Sequence, residues 1–374
     1  MKSLALRSMM NDYTFSFTLT SPNVTFLNSL SDLAFAIYPA EAKDIPGWGV
    51  ETVIGTGPFM LKEFRPTEKL VLERYDNYHG GVKKLQRMEF VHMDENTALM
   101  EFEAGNIDIT DISDARLIAW YLGSPEYRDM VHRVEQSGVI LLSFNMQMEP
   151  FTDREVRRAI SMAINREEIA NQLLQGLYTP AKSILPNSVL GYDPDLEPIE
   201  YNPAKAKEIL ASAGYPDGLH IQAITTDTAA TTVILQYLEQ SLKEANIFLT
   251  IQTVDAAGFN DIRAQGKVPM FILTWVGESG EPDSLLNLWS TPMSQFISNF
   301  YMNAEFDAQL AAGLQVQDPQ DRAELYRQMD YQLTRVDVVG APLVHPNAFV
   351  LISDRVDNVR LGNGNRYYDV ELKW

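Results

Sequence analysis

The clearest apolar run in the chain is Val139 to Phe144, interrupted only by Ser143 and bounded by Gly138 and Asn145. A short apolar run between turn residues predicts a buried strand. Asp153 follows as a helix N-cap, and Val156, Ile160 and Ala163 recur at helical spacing. Asn165 breaks that pattern, and Arg166-Glu167-Glu168 opens a second short helix that Gly176 ends.

The chain before this stretch reads as strand-rich. Tyr13, Phe15, Phe17 and Leu19 alternate with polar residues, which predicts a half-buried strand, and an apolar segment runs from Phe26 to Ile37. Phe59, Leu61 and Phe64, then Leu70 to Arg74, then Arg87 to His92 predict further strands. A helix from Asn96 to Ala104 ends at Gly105, and Ile107 to Ile109 forms a short strand. Beyond Pro180 the pattern changes. Asn202 caps a helix with Pro203 in its first turn and Ala206, Ile209, Leu210 and Ala213 on its apolar face. Strands at 219–225, 247–254 and 270–275 then alternate with helices at 231–245 and 257–265. That alternation predicts βαβ units and a mostly parallel sheet. Asp318-Pro319 starts a long helix with Ala323, Tyr326, Met329 and Leu333 on one face. Pro342 to Ile352 reads as a strand returning to the first part of the chain, and Tyr367 to Trp374 adds at most a last strand.

The order of residues is more specific than the periodicity. An Asn after a strand, a Pro-Phe turn, Asp-x-x-Val-Arg-x-Ala-Ile and Ala-Ile-Asn-Arg-Glu-x-Ile occupy residues 145 to 169. This segment resembles the family-5 solute-binding proteins of peptide ABC importers, in which it carries the chain from one lobe into the other. Gly55-Thr56-Gly57-Pro58-Phe59, Leu72 to Tyr78, Tyr201-Asn202-Pro203 and Trp275 to Pro282 resemble four further family motifs in the family's order. The resemblance implies a two-lobed, periplasmic-binding-protein-like α/β fold with mixed sheets flanked by helices. Residues 1–141 with 340–374 would form a strand-rich first lobe, and residues 142–339 a βαβ second lobe. Family members begin with a leader, first strands and an inserted domain. Residues 11 to 39 resemble the family segment that follows the insertion, so the fold is expected to be N-terminally shortened.

Composition narrows the partners. Thirty basic against 50 acidic side chains give a net charge of −20, which repels polyanions and excludes nucleic acid as an expected ligand. The absence of cysteine excludes disulfides, thiolate metal sites and cysteine nucleophiles. The five histidines, at 79, 92, 132, 220 and 345, are not paired at metal-ligand spacing. Neither a Gly-x-Ser-x-Gly elbow nor a P-loop is present. Gly55-x-Gly57 is followed by Pro58 and a strand pattern, which does not suit a nucleotide cradle. No metal or cofactor is expected. No apolar run approaches the roughly 20 residues of a membrane span.

One dense polar cluster follows a predicted strand end: Glu278, Glu281 and Asp283, after Trp275. Open α/β sheets bind ligands at such ends. A carboxylate pair could also serve a hydrolase as acid and base, with Glu278 and Glu281 in those roles. Asp283 suits the first turn of a helix opened by Glu281-Pro282. The resemblance implies that the acid three residues after the Trp receives a ligand's ammonium, here Glu278 in place of the usual Asp. It further implies a ligand lining from Trp275, Val276 and Gly277, and a weaker carry-over for Asn299 and Tyr301. Thr225-Thr226-Asp227-Thr228 lacks the Arg by which some dipeptide-selective members hold a carboxylate. The resemblance thus implies a periplasmic or cell-surface monomer that captures a peptide or other small polar solute and delivers it to ABC permease subunits. The alternative is a cytoplasmic sensing domain of a regulator.

Overall fold

The computed structural model describes residues 4–11, 14–30, 35–226, 229–277, 280–362 and 365–373. In chain order its strands are β1 (Leu4–Asn11), β2 (Thr14–Leu19), β3 (Phe59–Arg65), β4 (Lys69–Arg74), β5 (Arg87–Val91), β6 (Ile109–Ile112), β7 (Val131–Glu135) and β8 (Gly138–Phe144). They continue with β9 (Thr179–Pro180), β10 (Leu219–Thr226), β11 (Ile247–Val254), β12 (Met270–Val276), β13 (Gly340–His345), β14 (Asn347–Ile352), β15 (Val356–Asp357) and β16 (Glu371–Leu372). The chain divides into two compact units. Unit 1 joins the residues up to Ser29 with Gln136–Pro346, and unit 2 joins Leu30–Glu135 with Asn347 onward.

These boundaries differ from those drawn on the sequence. All of β8 and β13 belong to unit 1 because both pair within its central sheet, ordered β12-β8-β13-β9. The residues before Ser29 also fall in unit 1. Val24 N–H donates to Leu314 O at 2.8 Å, and Asn28 Nδ2 donates to Glu281 Oε1 at 2.6 Å.

The central sheet explains the apolar run. Side chains alternate across a strand, and here both faces are covered. Ile140, Leu142 and Phe144 of β8 join one core with Met270 and Ile272 of β12, Ile160, and Leu235 and Leu238 of the Ala229–Ser241 helix. Val139 and Leu141 join a second core with Phe271, Leu273, Trp289, Tyr326 and Met329. Each member is at most 9% exposed, so β8 is buried on both faces and shows no polar side to solvent.

The expected mostly parallel sheet is corrected by the pairing. β12 and β13 both run antiparallel to β8, and only β10 with β11 forms a parallel ladder among the described strands. Alternating local periodicity specifies which segments are strands and helices. It does not specify which strands meet, because that depends on long-range packing.

Local capping follows the sequence closely. Asp153, Asn165, Asn202 and Asp318 each accept backbone N–H bonds from the first turn of their helices. Two helix residues do something periodicity did not show. Arg157 is 4% exposed and donates to Val338 O, Phe151 O and Asp337 O at 2.9, 2.7 and 2.6 Å. Arg166, 6% exposed, donates to Pro342 O at 2.5 Å, Ser161 O at 2.9 Å and Ser161 Oγ at 2.8 Å. Two buried guanidinium groups therefore tie the helices after β8 to the entry and body of β13. No carboxylate pairs with Arg166 in these bonds, and burial pushes it down to about 9, still protonated at neutral pH.

Unit 2 holds two three-stranded sheets, β3-β4-β5 and β6-β14-β7, and the small β15-β16 pair. The Ala115–Gly123 helix and β7 went unread in the sequence, where 115–135 has no clean period. The Leu72-Glu73-Arg74 motif has a structural role here. Arg74 donates to Asp76 Oδ1 at 2.7 Å and Lys83 O at 2.9 Å, closing the loop after β4.

Candidate functional site

Three of the sequence-derived candidates, Trp275, Val276 and Gly277, lie at the end of β12 or one residue past it. Trp275 ↔ Val139 and Val276 ↔ Gly138 are the last pairs of the β12–β8 ladder. Gly138 is required there: a Cβ at this position would lie 2.6 Å from Trp275 O and 2.9 Å from a Val276 methyl. Gly277 N–H donates to Ser137 O at 2.7 Å, which keeps the backbone paired one residue past the strand. Gly277 also admits no side chain, since a Cβ would meet Ser284 Oγ at 2.5 Å. Trp275 is half-buried against the second core, and its indole Nε1 donates to Ser284 O at 3.1 Å. One end of the indole is thus pinned by the next helix. Because β12 is antiparallel to β8, the expectation of a parallel strand end at this site is corrected.

Glu278 lies outside the described residues, as do Asp227 and Thr228. Glu281 is placed, and its role is ionic. Its Oε2 lies 3.2 Å from Arg322 Nη2, with the two side chains 14% and 15% exposed, and its Oε1 accepts from Asn28. It occupies the N-cap position of the Pro282–Leu286 helix without a side-chain capping bond. Both carboxylate oxygens of Glu281 are thus engaged within unit 1, by Arg322 and by Asn28.

Asp283 sits in the first turn of that helix, as the sequence indicated, and it is partly buried. Its Oδ1 is buried without a hydrogen-bond partner. Burial, and next the Glu281 carboxylate, push Asp283 up to about 6, while Arg322 pulls the other way. A carboxyl raised in the folded state costs stability progressively as pH climbs from about 4, where the unfolded chain ionises, to about 6, and the full cost is present above that. Below its ordinary value, near 4, both states are protonated and the effect vanishes. Asp283→Asn is therefore expected to stabilise the protein at pH 7 by about 1–2 kcal/mol, with the gain shrinking as pH falls toward 4. Urea midpoints at the two pH values measure this, and a gain independent of pH would show that the charge is not penalised.

The remaining two candidates lie in the scaffold. Asn299 is 0% exposed, and its Nδ2 donates to Phe144 O and Val339 O, each at 2.8 Å. Met146 N–H donates to Asn299 O at 2.9 Å. Asn299 therefore fastens the exit of β8 to the entry of β13. The flanking Ser298 and Phe300 hold φ of 60° and 59°, a left-handed backbone that non-glycine residues adopt only when packing enforces it. Tyr301 is 5% exposed, and its hydroxyl donates to Asp337 Oδ2 at 2.6 Å and accepts from Asn303 Nδ2 at 2.8 Å. Burial and Asp337 both raise its pKa. Asn299 Nδ2 and the Tyr301 hydroxyl are engaged inside unit 1, and both residues are buried there. The Asn-x-Tyr spacing was carried over from residue order alone, which does not report burial. Asn145 behaves likewise, donating to Gly266 O and Val268 O at 2.9 and 3.1 Å.

Among the described residues no group of three or more His, Asp or Glu is placed to hold a metal ion. No described helix is long and apolar enough to cross a membrane.

Comparison with known proteins decides the family. The model for bacterial extracellular solute-binding proteins, family 5 middle region, matches residues 8–295. The chain belongs to this family. It is 27% identical over 362 residues to heme-binding protein A of Haemophilus influenzae, a match covering 92% of this chain and 65% of that protein. It is 29% identical over 346 residues to the glutathione-binding protein GsiB of Salmonella typhimurium, covering 87% of this chain and 66% of that protein. The chain thus spans slightly less than two thirds of the length of these relatives. Among solved structures, HbpA2 of Haemophilus parasuis superposes with a TM-score of 0.82 at 25% identity, covering all of this chain and 76% of the other. The periplasmic binding protein DppA of Helicobacter pylori, in complex with the peptide STSA, superposes with a TM-score of 0.85 at 24% identity, covering 99% and 74%. The fold of this family-5 member is therefore that of periplasmic binding proteins, and its relatives are binding proteins.

Proposed function

We propose that this chain belongs to the substrate-binding component of an ABC importer, capturing a peptide-like solute outside the cytoplasm and delivering it to permease subunits. The observation that carries the proposal is the family match over residues 8–295, together with relatives whose names record binding of glutathione, heme and peptides. The protein acts as a monomer without a cofactor and without chemical turnover. The engagement of Glu281 with Arg322 supports binding over hydrolysis.

Within this reading the edge formed by Trp275, Val276 and Gly277 lines the solute, and Glu278 receives its ammonium. An aromatic face fixed by a hydrogen bond at one end can pack against a ligand with little loss of side-chain freedom. Calorimetric titration with tri- and tetrapeptides tests the proposal, alongside mass spectrometry of any solute retained through purification. Saturable one-to-one binding that weakens in Trp275→Ala is expected, with the peptide recovered intact. Cleaved peptide would overturn the assignment as a binding protein. Peptide binding unchanged in Trp275→Ala would remove this edge from the site.

A further inference from the structure

The first turn of the Pro282–Leu286 helix ties the Trp275–Gly277 edge to the Pro319–Tyr331 helix. On one side Ser284 O accepts from Trp275 Nε1 at 3.1 Å, and Ser284 Oγ fills the space that a side chain at Gly277 would need. Ser284 Oγ also donates to Glu281 O at 2.6 Å, so edge and turn are bonded as one piece. On the other side Arg322 Nη2 meets Glu281 Oε2 at 3.2 Å. Three buried polar atoms beside these ties have no hydrogen-bond partner: Asp283 Oδ1, Arg322 Nε and the Tyr326 hydroxyl. Asp283 is attracted by Arg322 and repelled by Glu281, and Tyr326 lies in the field of all three. The Ala304–Gly313 helix packs against the same turn, but its carboxylates turn elsewhere. Glu305 is exposed, and Asp307 accepts from Thr291 N–H at 2.9 Å.

A buried carboxyl whose oxygen has no donor favours its neutral form, so this arrangement belongs to protonated Asp283. Once ionised, the carboxylate is drawn to an unused donor of opposite charge, Arg322 Nε, on the guanidinium that holds Glu281. Asp283 and Ser284 are neighbours in one turn, so a shift of the first carries the second, and with it the acceptor of the Trp275 indole. We propose that Asp283 is a positioning residue for the solute edge: losing its proton draws it to Arg322, displaces the first turn of the Pro282–Leu286 helix and unpins Trp275. The proposal rests on the reading of Trp275 to Gly277 as solute lining, and adds control by pH to that site. A solute that packs on the pinned indole binds the protonated form better, so affinity falls as pH rises through the titration of Asp283. Burial, and next Glu281, place that titration at about 6. A peptide amine stays mostly charged up to about pH 7, so the solute itself changes little in this range.

The first step of the test needs no ligand. The indole Nε1–H signal of Trp275, assigned with Trp275→Phe, is followed by NMR from about pH 5 to about pH 7 in the 374-residue protein. It is expected to shift with a midpoint of about 6, while the signal of Trp120 in unit 2 stays in place. Asp283→Asn cannot ionise and is expected to fold at least as well as the wild type, and in it the Trp275 shift should vanish. Glu281→Gln removes the charge that repels Asp283, so the midpoint should move down with the shift retained. Calorimetry with a tetrapeptide at the two pH values is then expected to show affinity about fivefold weaker at the higher pH in the wild type, and equal within about twofold in Asp283→Asn. A Trp275 signal that ignores pH, a titration that persists in Asp283→Asn, or a peptide affinity that changes equally in both proteins overturns the proposal. Peptide binding at neither pH overturns the solute edge, and the affinity claim with it, while the indole titration still decides whether Asp283 places Trp275.

Discussion

Replacing Arg166 by methionine should destabilise unit 1 by about 2–5 kcal/mol. The guanidinium supplies donors to Pro342 O, Ser161 O, Ile164 O and Ser161 Oγ in a site 6% exposed to solvent. Methionine fills similar volume and leaves those acceptors buried without partners. Each unsatisfied buried acceptor costs about 1–3 kcal/mol, and removal of the desolvated cation offsets part of the sum. Arg166→Lys should rescue little. An ammonium retains the charge but cannot reach carbonyls on a helix end and a strand with one planar fork. The measurement is the urea midpoint read from the buried Trp289 of unit 1, compared at constant slope. A loss below about 1 kcal/mol in Arg166→Met, or full rescue by lysine, would mean that the fork is incidental.

Glu278→Gln should weaken binding of a peptide with a free amino terminus by about one to three powers of ten. A peptide amine is cationic at neutral pH, and a carboxylate is its natural partner in a site that excludes water. A charge-assisted hydrogen bond contributes about 1.5–3 kcal/mol. Truncating one member of a buried pair costs about 2–5 kcal/mol because the other charge stays buried. Acetylating the ligand should cost the wild-type protein a similar amount and the variant little more, since both changes delete one interaction. Glu281→Gln should leave affinity nearly unchanged, because Glu281 is occupied by Arg322 and Asn28. Calorimetry on the four combinations of protein and ligand measures the coupling. Additive losses would place the ammonium elsewhere.

The two expectations differ in how they could be reached from the residues. Glu278 was singled out by motif order, three positions after Trp275, and needed no knowledge of contacts. Arg166 belongs to an equally visible motif, yet its role was hidden. A helical arginine beside two glutamates reads as part of a solvated face, because periodicity treats every charge as polar. Only the packing of β13 against the helix shows that its donors end on carbonyls. Asn299 and Tyr301 differ again: they match a motif near the site, and their burial, with Asn299 holding the exit of β8 to the entry of β13, is not visible in residue order.

What the sequence by itself determined is local. Asp153, Asn165, Asn202 and Asp318 cap the helices they precede, because a side-chain oxygen reaching the next N–H groups needs only a few residues of chain. The apolar run at Val139–Phe144 had to be a strand covered on both faces, since its residues alternate between two cores. Motif order sufficed to identify the family. The tertiary structure decided the non-local facts. It set β12 and β13 antiparallel to β8, gathered the residues up to Ser29 into unit 1, and placed β5 and β6 in two separate sheets among the described strands of unit 2. Each depends on which distant segments meet. Strand pairing is governed by burial and register across the whole domain, and no window along the chain contains both partners.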